Sequence, residues 1–218
     1  MKVVCISDTH NQLDAMDIPE GDVLVHAGDF SMMGRETEVT HFFEEFSELP
    51  HEHKFVIAGN HDFMPERDPG GFRALIPPGI TYLEDTAVTV EGVKFWGTPW
   101  VKGLSRWAFN EDDLVKRLEK WKKIPDDVDV LISHGPAYGI LDLLAYPRVG
   151  EDPHVGCKLL RDEVLERIKP RYMVFGHIHE GAGMREVDGV WFLNASNLDE
   201  KYRIANKPTI FEIEKEEK

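Results

Sequence analysis
The chain has 218 residues, of which 42% are hydrophobic and 30% charged, with a formal net charge of -15. That is room for one α/β domain with a large core, and the composition of an ordinary soluble globular protein. The acidity argues against a broad nucleic-acid-binding face, which needs clustered positive charge, but leaves open small phosphate substrates held by metals.

No apolar run is long enough to span a membrane, and the N-terminal run from Val3 to Ser7 is too short for a signal-peptide core. Cys5 and Cys157 lie far apart, and Cys5, inside an apolar run, reads as a buried thiol rather than half of a bridge. A reducing, cytoplasmic home is expected.

In chain order, Lys2–Ser7 and Val23–Ala27 read as buried strands. Between Thr37 and Leu49, Val39, Phe42, Phe43, Phe46 and Leu49 recur at helical spacing, with Glu44, Glu45 and Glu48 facing away and Pro50 closing the helix. Phe55–Ala58 is a third strand. The proline- and glycine-rich stretch from Pro65 to Gly79 predicts a loop, with at most one helical turn over Phe72–Leu75. Thr86–Val90 and Val93–Trp96 flank Glu91-Gly92 as a β-hairpin. Asn110 is placed to cap a helix whose stripe is Leu114, Leu118 and Trp121, ending before Pro125. Val128–Ser133 is a strand, and Leu159, Leu160, Val164 and Ile168 line a helix that Pro170 ends. Tyr172–Phe175, Val190–Leu193 and Thr209–Ile213 complete the strands, and Glu214–Lys218 is a solvated tail. With no repeat or linker, residues 1–218 read as a single domain. Strands and helices alternate early, while the middle and end favour hairpins. The expected fold is therefore a four-layer α-β-β-α sandwich: two mixed β-sheets packed face to face with helices outside.

The strands share a feature that packing does not require. Five of them run into metal-ligand residue types: Asp8-Thr9-His10, Gly28-Asp29, Gly59-Asn60-His61-Asp62, His134-Gly135 and Gly176-His177-Ile178-His179. A buried strand ending in this way delivers its polar residues to the carboxyl edge of a sheet, where ligands bind in α/β proteins. Five such loops predict one convergent site with Asp29 at its centre. Imidazole and carboxylate without thiolate suit Zn, Mn or Fe better than Mg alone, and argue against a structural zinc finger.

The order and spacing of Asp8-x-His10, Gly28-Asp29, Gly59-Asn60-His61-Asp62, Ser133-His134 and Gly176-His177-x-His179 resemble the motifs of the calcineurin-like metallophosphoesterases. Gly97-Thr98-Pro99-Trp100, Trp107–Asn110, His154–Cys157 and Asn194-Ala195-Ser196 resemble its metallophosphoesterase-domain-containing branch. Some members of that branch lack one histidine of the last motif; this chain keeps both. The resemblance implies two divalent transition metals, Mn favoured and Zn or Fe possible. Asp8, His10, Asp29 and His179 would hold one, and Asp29, Asn60, His134 and His177 the other, with Asp29 as bridge. It further implies a metal-bridging hydroxide attacking a phosphoester in line. His61, unassigned to a metal, would stabilise charge or protonate the leaving oxygen, with Asp62 orienting it.

The implied activity is a phosphodiesterase on small esters, cyclic nucleotides included; the alternatives are a phosphomonoesterase and a non-catalytic scaffold of the same fold. A protein serine/threonine phosphatase fits less well, since that group usually carries Arg where this chain has Met33. Among the other polar residues, His26 reads as a core histidine, and His41, His51 and His53 as solvated. His154 is balanced between the substrate cleft and a loop hydrogen bond. Trp96, Trp100 and Trp107 are candidates for a base-binding cleft, with Trp96 better explained as core.

Overall fold
A computed structural model of the chain describes residues 1–147, 150 and 152–214. The strands are β1 (Lys2–Ile6), β2 (Val23–His26), β3 (His53–Val56), β4 (Ile80–Tyr82), β5 (Thr86–Val90), β6 (Val93–Thr98), β7 (Val130–Ser133), β8 (Tyr172–Phe175), β9 (Gly183–Val187), β10 (Val190–Asn194) and β11 (Thr209–Glu212). One five-stranded sheet has the order β11-β1-β2-β3-β4, and a six-stranded sheet has the order β5-β6-β7-β8-β10-β9. Both are mixed. β1 to β4 are parallel with β11 antiparallel at the edge, and β6, β7, β8 and β10 are parallel between antiparallel β5 and β9.

Why the central strands read as unbroken apolar runs is now plain: both faces of each sheet are covered. Val3, Cys5, Val25 and Phe55 turn inward to meet Phe95, Ile132, Val174 and Leu193 of the other sheet. Their alternates Val4, Ile6, Leu24 and Val56 pack outward under α1 (Glu36–Glu48), whose buried face is Val39, Phe42, Phe43 and Phe46. On the far side, Leu131, Met173, Phe175 and Phe192 pack under Trp121 of α4 (Leu114–Trp121) and under Leu160, Val164 and Ile168. The last three belong to Lys158–Asp162, which runs on as a wider π-type turn over Glu163–Ile168. This is the expected four-layer sandwich.

Local expectations fared unevenly. The helix over 37–49, the Glu91-Gly92 hairpin and the closing strands stand within a residue or two of their predicted bounds. The 65–79 loop does not. It holds two short helices, α2 (Phe63–Arg67) and α3 (Pro69–Leu75). Pro69 sits at the first helical position, where its missing N–H costs nothing, and the Asp68 side chain accepts from the Gly71 N–H, while Phe72 is buried against the α1 phenylalanines.

The cap of α4 is Asp113, which accepts from the Val115 and Lys116 N–H groups; Asn110 instead accepts from the Leu104 N–H, and Leu114 is exposed. β4 and β9 are strands that the sequence pattern did not reveal. Of the tail, residues 215–218 lie outside the described residues. His51 is buried rather than solvated, because the turn before β3 folds onto Gly21 and lets His51 Nε2 donate to the Pro19 carbonyl at 3.0 Å. Among the described residues no helix is long and apolar enough to cross a membrane.

Candidate metal centre
The parallel strands of both sheets deliver their following residues to one edge. There Ser7, just past β1, bridges to Ser196, just past β10, so the sheets touch where their ligand loops emerge. Among the described residues, three sets of ligand atoms come within 4.8 Å of one another: Asp8, His10 and His179; His10, Asp29 and His61; and Asp29, His134 and His177. Asp29 and His10 each belong to two sets. Asn60 joins the third, its Oδ1 lying 3.1 Å from His134 Nε2, which is 3.2 Å from Asp29 Oδ2.

The backbone bends to achieve this. Asp8, His10, Asp29 and His177 all have positive φ, between 44° and 70°, where side chains other than glycine are strained. Two glycines allow the loops to touch. A Cβ on Gly59 would lie 2.2 Å from Asp29 Oδ1, and one on Gly176 would lie 2.2 Å from Asp8 Oδ2 and 2.0 Å from Ser7 Oγ.

Four imidazoles are oriented the same way. Nδ1 of His10 lies 3.0 Å from the Ser31 carbonyl, that of His61 2.7 Å from the Met32 carbonyl, that of His134 2.8 Å from the Ala27 carbonyl and that of His179 2.9 Å from the Asp199 carbonyl. A carbonyl can only accept, so each Nδ1 carries a proton and each Nε2 points into the site with its lone pair available in the neutral ring. This is the supporting geometry usual for metal-bound histidine. His10 Nε2 is buried with no hydrogen-bond partner, a costly state for a polar atom that a cation would relieve.

The carboxylates are equally braced. Asp8 accepts from the His177 N–H and, at 2.6 Å, from the Ser196 hydroxyl; Asp29 accepts from the His61 N–H at 2.7 Å.

Charge is balanced within the site. Burial opposes ionisation of Asp8 and Asp29, yet the surrounding histidines hold both well below the usual carboxylate range. His134 and His179 are lifted to about 9 despite burial, His134 chiefly by Asp29 and His179 chiefly by Asp8. Burial and the neighbouring His134 push His177 down to about 3, and burial also lowers His10. Without metal, then, protons on two imidazoles neutralise the two carboxylates.

Asp62 departs from its expected role. It does not touch His61, whose Nδ1 is taken by the Met32 carbonyl. Its carboxylate accepts instead from the N–H groups of Phe30, Ser31 and Gly59 and from the Ser31 hydroxyl at 2.6 Å. It thereby ties the loop after β2 to the loop after β3, and through Ser31 it sets His10. Burial, with Asp29 nearby, raises it to about 7.

His26 is the core histidine expected. The Gly28 N–H donates to its Nδ1, so its Nε2–H donates to Thr9 Oγ1 at 2.9 Å, between Asp8 and His10. His154 Nδ1 bonds the buried Asp142 at 2.6 Å, a loop contact. Trp96 packs in the outer core of the second sheet, and Trp100 donates to Asp85. Sequence reasoning gave no role to Ser31, Ser196, Asp199 or Tyr202. Only Ser196 lay in a stretch with a recognisable pattern.

A sandwich of this layering with paired carboxylate–imidazole sets at its sheet edges is the architecture of metal-dependent phosphoesterases. The family model for calcineurin-like phosphoesterases matches residues 1–181, and the chain belongs to that family. It is 37% identical to human metallophosphoesterase domain-containing protein 1 (Homo sapiens) over 97% of this chain and 71% of the relative. It is 38% identical to UPF0046 protein C25E10.12 of Caenorhabditis elegans over 98% of this chain and 81% of the relative. Among solved structures, TT1561 of Thermus thermophilus shares the fold, with a TM-score of 0.60, 15% identity and coverage of 96% of this chain and 97% of that one.

Proposed function
We propose that the chain, as a single domain, is a hydrolase of small phosphodiesters, cyclic nucleotides among them, working with two divalent transition metals. Asp8, His10, Asp29 and His179 would hold one cation and Asp29, Asn60, His134 and His177 the other. Manganese suits this nitrogen-and-oxygen set, and Zn or Fe would also fit. When bound, such a pair supplies Lewis acidity and activates water near neutral pH.

The remaining chemistry falls to the chain. Asp29 orders both ligand sets, and Asp62 and Ser196 keep the carboxylates and His10 in register. His61, with Nδ1 fixed on the Met32 carbonyl, holds a proton at Nε2 when doubly protonated and can give it to the leaving oxygen. The buried, unpartnered His10 Nε2 is the observation that carries the reading. The acidic surface argues for a small substrate over a polyanion, and the free thiols of Cys5 and Cys157 accord with a cytoplasmic setting.

The test is metal analysis of the purified protein, followed by hydrolysis of bis(p-nitrophenyl) phosphate and p-nitrophenyl phosphate with Mn²⁺ added. Faster turnover of the diester is expected. Preference for the monoester would make the protein a phosphomonoesterase, and two bound metals without turnover of either ester would make it a scaffold. In Asp29→Ala both metals should be lost together, whereas His10→Ala and His134→Ala should each weaken mainly one site.

A further inference from the structure
The metal-ligand loops account for the floor of the site, but the side on which His61 lies carries residues that no ligand role explains. The Trp107 ring packs 4.3 Å from His61 between ring centroids and 5.8 Å from Phe63. The Tyr202 ring lies 4.9 Å from His10, 5.3 Å from His179 and 6.3 Å from His61, and the residue is still 40% exposed. Met32, whose carbonyl fixes His61, is also exposed.

Tyr202 is held there by construction. It adopts a φ of 58°, its N–H donates to the Asp199 carbonyl at 2.9 Å, and its own carbonyl accepts from Gln12 Nε2 at 3.1 Å. The Asp199 carboxylate in turn grips Arg203 Nε at 2.8 Å, and the same Asp199 carbonyl orients His179. One turn thus serves a proposed metal ligand and sets an aromatic ring over the centre.

We propose that Tyr202 and Trp107 wall a slot on the His61 side of the centre, that the slot takes a flat ring carried by the ester, and that Tyr202 sets a preference for aryl and heteroaryl esters over alkyl ones. The proposal rests on the phosphoester-hydrolase reading above. Aromatic rings favour offset or edge-on partners at centroid separations of about 4.5–7 Å, the range in which the Tyr202 ring already packs against three histidines. A ring on the leaving side would meet the π faces of Trp107 and Tyr202, while its ester oxygen would lie towards His61. A methyl group in the same place would leave those faces wet.

The experiment compares wild type, Tyr202→Phe, Tyr202→Ala and Trp107→Ala, all loaded with Mn²⁺, in two arms. In the first, kcat/KM is measured for methyl phosphodiesters whose leaving group is phenoxide or methoxide, so that the varied group is the one on the His61 side. In the second, binding of phenylphosphonate and methylphosphonate is measured by calorimetry, with metal content determined for each protein. Tyr202→Ala should lower the phenyl-to-methyl ratio in both arms by about tenfold, the order expected for one aromatic contact. Tyr202→Phe, which keeps the ring, should retain the ratio, and Trp107→Ala should lower it.

Turnover with an unaltered ratio in both alanine variants overturns the slot while leaving the hydrolase reading intact. Absence of all turnover, with the phenylphosphonate preference present and lost in Tyr202→Ala, sinks the hydrolase reading and supports the slot. A fall in Tyr202→Phe as large as in Tyr202→Ala, or loss of metal in Tyr202→Ala, would assign the residue a hydroxyl or scaffolding role and reject the slot.

Discussion

His61 shows how much a single hydrogen bond decides. With Nδ1 committed to the Met32 carbonyl, the neutral ring offers only a lone pair towards Asp29 and His10, and donation from Nε2 requires the imidazolium. His61→Ala should therefore keep two metals but lose about 10²- to 10⁴-fold in turnover of esters with alkoxide leaving groups, and much less with a nitrophenyl leaving group. A variant that binds only one metal would make His61 a ligand. Gly176→Ala tests close approach instead. Its Cβ would collide with the Asp8 carboxylate, so affinity for the first metal should fall about 10- to 100-fold, as when a ligand's support is removed. Gly135→Ala is the control, because a Cβ there meets only ordinary contacts of 3.4 Å and more. Equal metal affinity in the two variants would refute the account. The residues meeting at the centre were legible because strands ending in Asp, Asn or His have no packing reason to do so. The role of Asp62 and the presence of Tyr202 were not. Which carboxylate braces which loop, and which distant turn folds over a site, depend on contacts across 20 to 190 positions that no local pattern encodes.

At the scale of elements, α1 reaches the centre in large part through Phe42. Phe42 lies 4.5 Å from Phe30, the residue after Asp29, and 5.1 Å from His26, which supports the loop between Asp8 and His10. Phe42→Ala should cost roughly 3–5 kcal/mol of stability by opening a cavity, measured by urea unfolding. It should also weaken metal binding, although no ligand is touched. Unchanged metal affinity at reduced stability would show that the outer layer does not position the centre. The periodicity that revealed α1 was strong because its inner face is largely aromatic. Over 63–75 the prolines and glycines hid two helices, since at the first turn of a helix a proline is tolerated and an aspartate before it is favourable. The shift of the α4 cap from Asn110 to Asp113 has a similar origin: several residues in the run can cap, and tertiary bonds to Leu104 and Gly103 take the earlier ones.

For the whole molecule, layering was legible because two fully covered sheets demand continuous apolar strands; the edge strands β4 and β9, with partly exposed faces, gave no such signal. The pairing of charge across the layers yields a pH prediction. His134 and His179 lie near 9 in the metal-free protein and must lose their protons to bind a cation, so protons compete with metal. Apparent Mn²⁺ affinity should rise from pH 6.5 to 8.5, with proton release followed in weak buffer; metal binding that is pH-independent and releases no protons would contradict the site. The division of the proposed ligands between the layers has a mechanical consequence. Asp8, His10, Asp29 and Asn60 follow strands of one sheet, and His134, His177 and His179 follow strands of the other. Cations held by both sets would act as rivets through a laminate whose plies otherwise adhere mainly by apolar contact. Loading at about 100 times the dissociation constant would add about 2.7 kcal/mol to resistance against heat. Chelation should let the plies slip first at the riveted edge, so that amide exchange quickens around Asn194–Asn197 and residues 7–11 while the α1 face stays protected.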